Sequence, residues 1–220
     1  PDVLGTERER YAGRRVLVVG SGHSAQGVIQ ELVALRREFP ETSVVWAVRA
    51  QDLNRVFGGG EHDQLPGRGL LGLAVKKLVE SGGVDVVTSF AAVSVRQTAE
   101  GWLVSSFERE LPAVDEIVVA TGFRPDRDLL RELRLSLDPA TEAPAKLAPL
   151  IDPNLHSCGT VPPHGEAELR HPEPGVYVVG MKSYGRAPTF LLRTGYEQVR
   201  SIVAALAGDV EAARRVELVL

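Results

Sequence analysis

The spacing of apolar residues in the first part of the chain predicts a strand, a helix and a second strand. Residues 15–20 form a continuous valine-rich run that ends at a glycine, which is typical of a buried strand. Over residues 24–38 the apolar positions recur at helical spacing, and Pro40 follows. Residues 43–48 repeat the strand pattern. The three elements predict a βαβ unit, whose crossover is right-handed in nearly all proteins.

After this unit the pattern changes. A glycine-rich loop at 57–69 indicates mobility or close approach to a ligand, and a helix is expected at 70–80. Short strands separated by turns then follow, and the predicted ranges are 84–89, 93–98, 102–108 and 116–122. Glu100-Gly101 is the expected hairpin tip between the second and third of them, and the fourth is a continuous apolar run.

The last part of the chain is organised differently. A short helix is expected at 126–133, whereas residues 138–174 are rich in proline, glycine and histidine, which is typical of a functional loop or a linker. Residues 175–180 predict a buried strand. A long amphipathic helix is expected at 189–207, and its predicted inward-facing side chains are Leu191, Leu192, Val199, Ile202, Val203 and Leu206.

Together these elements predict an α/β fold with a Rossmann-like, three-layer core around a parallel sheet. We expect this core over residues 13–122, in the order β–α–β–α–β, with a small antiparallel crossover sheet at 92–108. Residues 123–220 are expected to form a linker and an incomplete second unit.

The composition narrows the range of functions. Hydrophobic residues make up 44% and charged residues 25% of the chain, and the net charge is -4, as in ordinary globular proteins. The basic residues are dispersed, which argues against a nucleic-acid-binding surface. The 220 residues contain no apolar run long enough to span a bilayer and no signal-peptide pattern, so a cytoplasmic location without membrane contact is expected.

The single cysteine, Cys158, excludes an internal disulfide or a C-x-x-C pair within these residues. A small buried or loop residue is expected there; a catalytic thiol would need a nearby base or cation, and His156 is close in sequence. The candidate ligands for a metal or metalloid are His156, Cys158, His164, Glu166 and His171. Because their spacing fits no zinc pattern, a solvated loop without metal is expected.

The candidate chemistry lies in Gly20-Ser21-Gly22-His23-Ser24-Ala25. This G-x-G-x-x-A pattern follows a predicted strand and opens a predicted helix, the context in which it binds a dinucleotide pyrophosphate. The first glycine permits the tight turn, the second lets the pyrophosphate approach the backbone, and the alanine lets the helix pack on the strand. The helix N-terminus offers unpaired N–H groups to the phosphates. His23 is expected to be incidental, and a strand–helix turn without ligand is the alternative.

The end of the second predicted strand indicates which dinucleotide is bound. NAD-binding proteins usually place Asp or Glu there to hold the ribose 2′-hydroxyl. This chain has Arg49, whose guanidinium suits a 2′-phosphate, so the sequence favours NADP. The alternative is a surface arginine, and the nearby Asp52 is a candidate for restoring some affinity for NAD.

Three segments, GRRVLVVGSGHSA, IVVATGFRPD and GVYVVGMKSYG…TGYEQVRSIVAALAGD, together resemble the middle and C-terminal parts of flavin-containing monooxygenases and related FAD-dependent pyridine-nucleotide oxidoreductases. The resemblance covers most of residues 13–209. It implies an FAD domain that is split in sequence by an inserted NADPH domain, with residues 20–25 as the NADPH fingerprint. The family's first fingerprint, which binds FAD, would lie upstream of these residues.

The resemblance also implies roles outside the fingerprint. Thr121 and Gly122 match the turn at which the chain returns from the NADPH domain to the FAD domain, and they are candidate cofactor contacts. Residues 175–180 match the returning strand of the FAD domain, and the helix from about Thr189 would point at the flavin region. Met181 stands where disulfide reductases of the superfamily place an Asp on the FAD ribityl chain; monooxygenase-like members also lack that Asp.

The motifs of three subfamilies are not matched. The C-x-x-C pair of thioredoxin reductases is absent, and the chain ends before the interface domain of glutathione-reductase-like enzymes. The monooxygenase fingerprint F-x-G-x-x-x-H-x-x-x-[YF] is not matched either, because Gly5 and Tyr11 have the wrong spacing and no histidine lies between them. No catalytic residue is therefore assigned.

The chain starts at Pro1 and its only methionine is Met181, so a piece of a longer protein is expected. In the intact protein NADPH is expected to pass hydride to FAD, while these residues alone are expected to hold no FAD. The alternative is a stand-alone NADP(H)-binding module without turnover. The sequence does not identify the small-molecule substrate, and an unpaired edge at 175–180 would allow a homo-oligomer.

Overall fold

The computed structural model describes residues 1–54, 56–157 and 159–218, so the questions about Cys158 lie outside the described residues. The backbone divides into two compact units, Pro1–Gly122 and Phe123–Leu220. Each unit has hydrophobic clusters of its own, and each is described separately.

In the described part of the chain the strands are β1 (Arg15–Val19), β2 (Ser43–Ala47), β3 (Asp85–Val87), β4 (Ser94–Thr98), β5 (Gly101–Ser105) and β6 (Glu116–Val119). The α-helices are α1 (Arg8–Tyr11), α2 (His23–Leu35), α3 (Pro66–Glu80), α4 (Ala148–Ile151), α5 (Glu166–Leu169), α6 (Leu192–Leu206) and α7 (Val210–Arg214). The helix expected at 126–133 is only a 3₁₀ turn at Asp128–Leu130.

The first unit is built around a four-stranded parallel sheet in the order β3–β2–β1–β6. Strand β1 is central, with Val18 in register with Trp46 of β2 and with Val118 of β6. The strands β1 and β2 are rich in valine and largely buried, as expected of a parallel sheet covered on both faces. The predicted α/β, Rossmann-like fold is confirmed.

Helices and a hairpin cover opposite faces of this sheet. On one face, Val16 and Val18 of β1 pack with residues of α2 and α3. On the other face, Leu17 packs with Val104 of the antiparallel β4–β5 hairpin and with Phe90. Because successive side chains of a strand point to opposite faces, the single strand β1 contributes to both clusters, and three layers result.

One carboxylate organises the glycine-rich loop at 57–69. The side chain of Asp63 is fully buried and accepts hydrogen bonds from two backbone N–H groups of the loop and from the Arg68 guanidinium. The hydrogen bonds from Arg68 lower the pKa of Asp63 to about 2. Helix α3 begins at Pro66, earlier than the expected residue 70, because proline fits the first turn of a helix.

The second unit packs around a hydrophobic cluster that includes Leu147, Ile151, Leu169 and Tyr184. The segment 138–174 is less irregular than predicted, because it contains α4 and α5. No helix in the described part of the chain is both long enough and apolar enough to cross a membrane.

The strand predicted at 175–180 is wrong for this structure. Among the described residues, the segment makes one isolated β-bridge, between Tyr177 and Arg170, and a 3₁₀ helix begins at Gly180. A strand requires a ladder with a neighbouring strand, and the described part of the second unit contains none. The described residues therefore do not form the strand edge that was expected at 175–180.

Helix α6 is oriented differently from the prediction. Of the side chains expected to face inward, Ile202 is buried and Leu191 is half-buried, whereas the others are 46–64% exposed: Leu192, Val199, Val203 and Leu206. The buried face is polar and consists largely of Thr194, Glu197, Gln198 and Ser201.

Hydrogen bonds explain why the polar face of α6 is buried. The amide of Gln198 accepts from the Gly180 N–H (2.7 Å) and donates to Ser183 Oγ (2.9 Å) and to His164 Nε2 (3.0 Å). Because Nε2 accepts, the proton of neutral His164 is on Nδ1, which donates to the Pro162 carbonyl (3.0 Å). Burial lowers the pKa of His164, so the imidazole is neutral at pH 7.

We predict that the second unit loses stability as the pH falls below about 6.5, the pKa of an unfolded histidine. The folded pKa of His164 is depressed, so its contribution is complete above that pH and is lost as the pH falls through the folded pKa. One histidine contributes a slope of at most about 1.4 kcal/mol per pH unit. The measurement is thermal unfolding between pH 7.5 and 5.

His164→Gln provides the control, because its amide accepts the hydrogen bond without titrating. His171 adds a parallel slope, because burial and then the charge of Arg127 lower its pKa as well. The His164→Gln variant should therefore have a shallower pH dependence than the original chain. An unchanged slope would contradict the assignment.

Candidate dinucleotide-binding site

Neighbouring parallel strands end at the same edge of the sheet and bring the predicted site residues together. Gly20 follows β1, Arg49 follows the adjacent strand β2, and Thr121 follows β6 on the other side of β1. In open α/β sheets, ligands bind outside the carboxyl ends of the strands. The fold thus gathers the sequence-predicted residues at one edge.

Gly20 occupies a position in which no other residue fits. Its φ is +130°, and its N–H donates to the Ala47 carbonyl at the end of β2 (3.1 Å). A Cβ at this residue would lie 2.1 Å from the Ala120 carbonyl oxygen, at the end of β6. Gly20 is therefore required both by its backbone conformation and by the close approach of the neighbouring strand end.

Gly22 faces open space. It is the residue before α2, its φ and ψ are -81° and 176°, and a Cβ there would meet no atom of the described chain within 4 Å. No side chain in the described ranges caps the first turn of α2, so its N–H groups are available to a ligand. Ala25 is fully buried against the sheet, as the fingerprint requires.

The remaining fingerprint side chains are at the surface. Ser21, His23 and Ser24 are exposed. Partial desolvation and the positive charge of Arg68 lower the pKa of His23, so its imidazole is neutral at pH 7 and adds no charge to the loop. This arrangement agrees with a loop that binds through its backbone.

Arg49 is exposed directly beyond the end of β2, and no ion pair joins it to another residue in the described ranges. Asp52 is engaged locally: its carboxylate accepts hydrogen bonds from the backbone and the side chain of Asn54 (both 2.9 Å). The hydrogen bond from the Asn54 backbone lowers the pKa of Asp52. At this edge Arg49 is thus free to meet an anion, while both oxygens of Asp52 already have partners.

Thr121 and Gly122 extend the site on the opposite side of β1. Both residues are exposed, and Gly122 has a φ of +88°. The preceding residue, Ala120, donates its N–H to the Val19 carbonyl (2.8 Å), which ties this turn to the end of the central strand. The structure therefore places Thr121 close to Gly20, and Gly122 follows it in the chain.

The structure shows where the candidate metal ligands of the second unit lie. The described residues contain no group of three or more His, Cys, Asp or Glu side chains arranged to hold a metal ion. His164, Glu166 and His171 are buried, so the prediction of a solvated loop is wrong. Hydrogen bonds from Arg170 (2.7 Å) and then from Tyr177 lower the pKa of Glu166.

Two residues at this edge were not predicted from the sequence. The indole of Trp46 donates to the Gly20 carbonyl (2.6 Å), and the amide of Gln26 donates to the Val56 carbonyl (2.6 Å). Trp46 could have been singled out as a polar-tipped aromatic residue in an otherwise aliphatic strand. The sequence carries no signal for the partner of Gln26, which lies 30 residues away.

The sequence matches no protein-family model and no curated protein. Solved structures match the fold. The bacillithiol disulfide reductase Bdr from Bacillus cereus is 17% identical, with a TM-score of 0.57, and the match covers 92% of this chain and 50% of that one. Bdr from Staphylococcus aureus gives 14% identity and a TM-score of 0.58 over the same shares of the two chains.

The HOCl-induced flavoprotein disulfide reductase RclA from Escherichia coli is a further match, with 14% identity and a TM-score of 0.55. That match covers 92% of this chain and 37% of RclA. The chain therefore shares the fold of these reductases along most of its length and spans half or less of theirs.

We predict that alanine affects the free energy of unfolding strongly at Gly20 and weakly at Gly22. Gly20→Ala should lower the free energy of unfolding by at least about 2 kcal/mol, because it combines an unfavourable φ with a backbone clash. Gly22→Ala should change stability by less than about 0.5 kcal/mol, because its Cβ meets open space. Denaturant titration measures both.

The Gly22→Ala variant should nevertheless bind NADPH more weakly, since its Cβ occupies the space that a pyrophosphate would enter. Titration calorimetry with NADPH tests this part. A folded Gly22→Ala variant with unchanged affinity would show that no pyrophosphate lies at this loop.

Proposed function

We propose that this chain is the NADPH-binding part, together with a C-terminal part of the split FAD domain, of a flavoprotein oxidoreductase. In such a protein the bound nicotinamide supplies a hydride that reduces the flavin. The role of this chain is to bind and orient the dinucleotide. The observation that carries the proposal is the fingerprint loop, in which Gly20 is required by packing and Gly22 borders open space.

The choice of NADPH over NADH rests on Arg49. A guanidinium makes forked, charge-assisted hydrogen bonds to a phosphate, which NADPH offers at the ribose 2′ position and NADH does not. The exposed position of Arg49, one strand away from the phosphate loop, supports this choice.

We also propose that the intact protein is monooxygenase-like, which concerns the acceptor of its electrons. The chain supplies one cysteine, so it does not supply a redox-active dithiol of its own. We propose oxygen or another acceptor as the destination of the electrons in the intact protein. We also propose a small-molecule substrate and a cytoplasmic location as properties of the intact protein.

A second candidate function is a stand-alone module that binds NADP(H) without turnover. The observation that favours it is that, among the described residues, both hydrophobic clusters of the first unit consist of residues between Val3 and Ala120. The flavin content of the intact gene product distinguishes the candidates. A flavin that NADPH reduces under anaerobic conditions supports the oxidoreductase, and a colourless NADPH-binding protein supports the module.

We predict that Arg49→Ala weakens NADPH binding by roughly 10- to 150-fold, because a hydrogen bond to a charged group contributes about 1.5–3 kcal/mol. NADH binding should barely change, because NADH has no 2′-phosphate. Arg49→Lys should give an intermediate affinity, since it keeps the charge and loses the fork. Equal losses of affinity for both dinucleotides would indicate a damaged fold. Unchanged affinity for both would show that Arg49 does not contact the dinucleotide.

We also predict that the 220-residue chain, purified alone, binds NADPH but carries no stoichiometric FAD. Among the described residues, the one glycine pattern of this kind that follows a strand and opens a helix is 20–25, and we assign it to NADPH; the G-x-G-x-x-G at residues 67–72 lies inside α3. Absorbance of the purified chain and of its heat-released supernatant is the measurement. Bound flavin at a one-to-one ratio would reassign residues 20–25 to FAD.

A further inference from the structure

Buried side chains of the first unit join the two loops of the candidate site. We call residues 20–25 the phosphate loop and the described residues 48–54 and 56–57 the β2 loop. Trp46, at the end of β2, is fully buried, and Gln26, in the first turn of α2, is 2% exposed. Both side chains donate hydrogen bonds to backbone carbonyls of these loops.

The Trp46 indole has an unusual partner for a residue in the centre of a sheet. Its Nε1–H donates to the carbonyl oxygen of the half-buried Gly20 over 2.6 Å, from an indole that is itself fully buried. A buried N–H that lacks an acceptor is costly, so this contact constrains the Gly20 carbonyl strongly. Trp46 therefore acts on the first peptide of the phosphate loop.

Peptide geometry transmits this constraint to the next residue. The C=O and N–H groups of a trans peptide are planar and point in opposite directions, and the chain has no cis peptide in its described part. With the Gly20 carbonyl directed at Trp46, the Ser21 N–H is directed away from the indole. Phosphate loops bind their ligands through backbone N–H groups of this kind.

Gln26 holds the β2 loop from the side of α2. Its Nε2–H donates to the Val56 carbonyl over 2.6 Å. The next residue of that loop, Phe57, packs on Trp46 with ring centroids 6.2 Å apart. The β2 loop, which contains Arg49, is therefore attached to α2 through Gln26 and to β2 through Trp46.

We propose that Trp46 and Gln26 are positioning residues of the dinucleotide site. Trp46 orients the Ser21 N–H toward the pyrophosphate, and Gln26 holds the β2 loop so that Arg49 reaches the 2′-phosphate. This inference rests on the proposed function and assigns each of the two residues to a different part of the dinucleotide. Trp46 serves a part that NADPH and NADH share, whereas Gln26 serves a part that only NADPH has.

Trp46→Phe tests the first role, because phenylalanine keeps an aromatic ring and loses the N–H. We expect the dissociation constants of NADPH and NADH to rise by the same factor, about tenfold, which corresponds to ~1.4 kcal/mol. Val44→Ala is the matched control: Val44 is a buried residue of the same strand, and its truncation should lower stability without changing either affinity.

Gln26→Met tests the second role, because methionine has a similar length and cannot donate. We expect the dissociation constant of NADPH to rise roughly three- to tenfold and that of NADH to stay unchanged. This variant tests the role of Gln26 whether or not Trp46→Phe folds, since its position lies on α2 rather than in the sheet.

Calorimetric titration of the original chain and the three variants with both dinucleotides separates the outcomes. If Trp46→Phe and Gln26→Met behave like Val44→Ala, both residues are ordinary core residues and the inference is overturned while the proposed function stands. A loss confined to NADPH in Trp46→Phe also overturns the assignment of Trp46. If the original chain binds neither dinucleotide, the proposed function itself is wrong.

Discussion

The organisation of the first unit depends on the close approach of the chain around Gly20. The Gly20 N–H binds the Ala47 carbonyl on one side, and the Ala120 carbonyl leaves no room for a side chain on the other. The chain must therefore leave the sheet at this residue, and α2 begins three residues later. The packing that completes the sheet thus also directs an uncapped helix N-terminus to the edge where Arg49 and Thr121 lie.

The second unit is held together in a different way. Its long helix α6 buries Gln198 and Ser201, whose hydrogen bonds reach Gly180, His164 and the backbone of α5 and α7. Such bonds depend on direction, so they determine which face of α6 turns inward more strictly than apolar contact does. The result is a helix whose aliphatic side chains lie mainly on the surface, in contrast to the layered hydrophobic packing of the first unit.

The sequence was sufficient where structure is determined locally. The βαβ unit and the fingerprint were predictable, because apolar runs, helical spacing and glycines report on neighbouring residues. The inward face of α6 was not, because periodicity shows that an apolar face exists and does not show what covers it. The strand at 175–180 failed for a related reason, since a strand requires a partner that its own sequence does not specify. The roles of Trp46 and Gln26 depend on contacts 26 and 30 residues away.

The position of Trp46 has an optical consequence. The chain contains two tryptophans, Trp46 and Trp102, and both belong to the first unit. Indole emission therefore reports on that unit alone, while the tyrosines Tyr177, Tyr184 and Tyr196 belong to the second unit. Since two units with separate cores need not unfold together, selective excitation of indole would follow the first unit by itself within the chain.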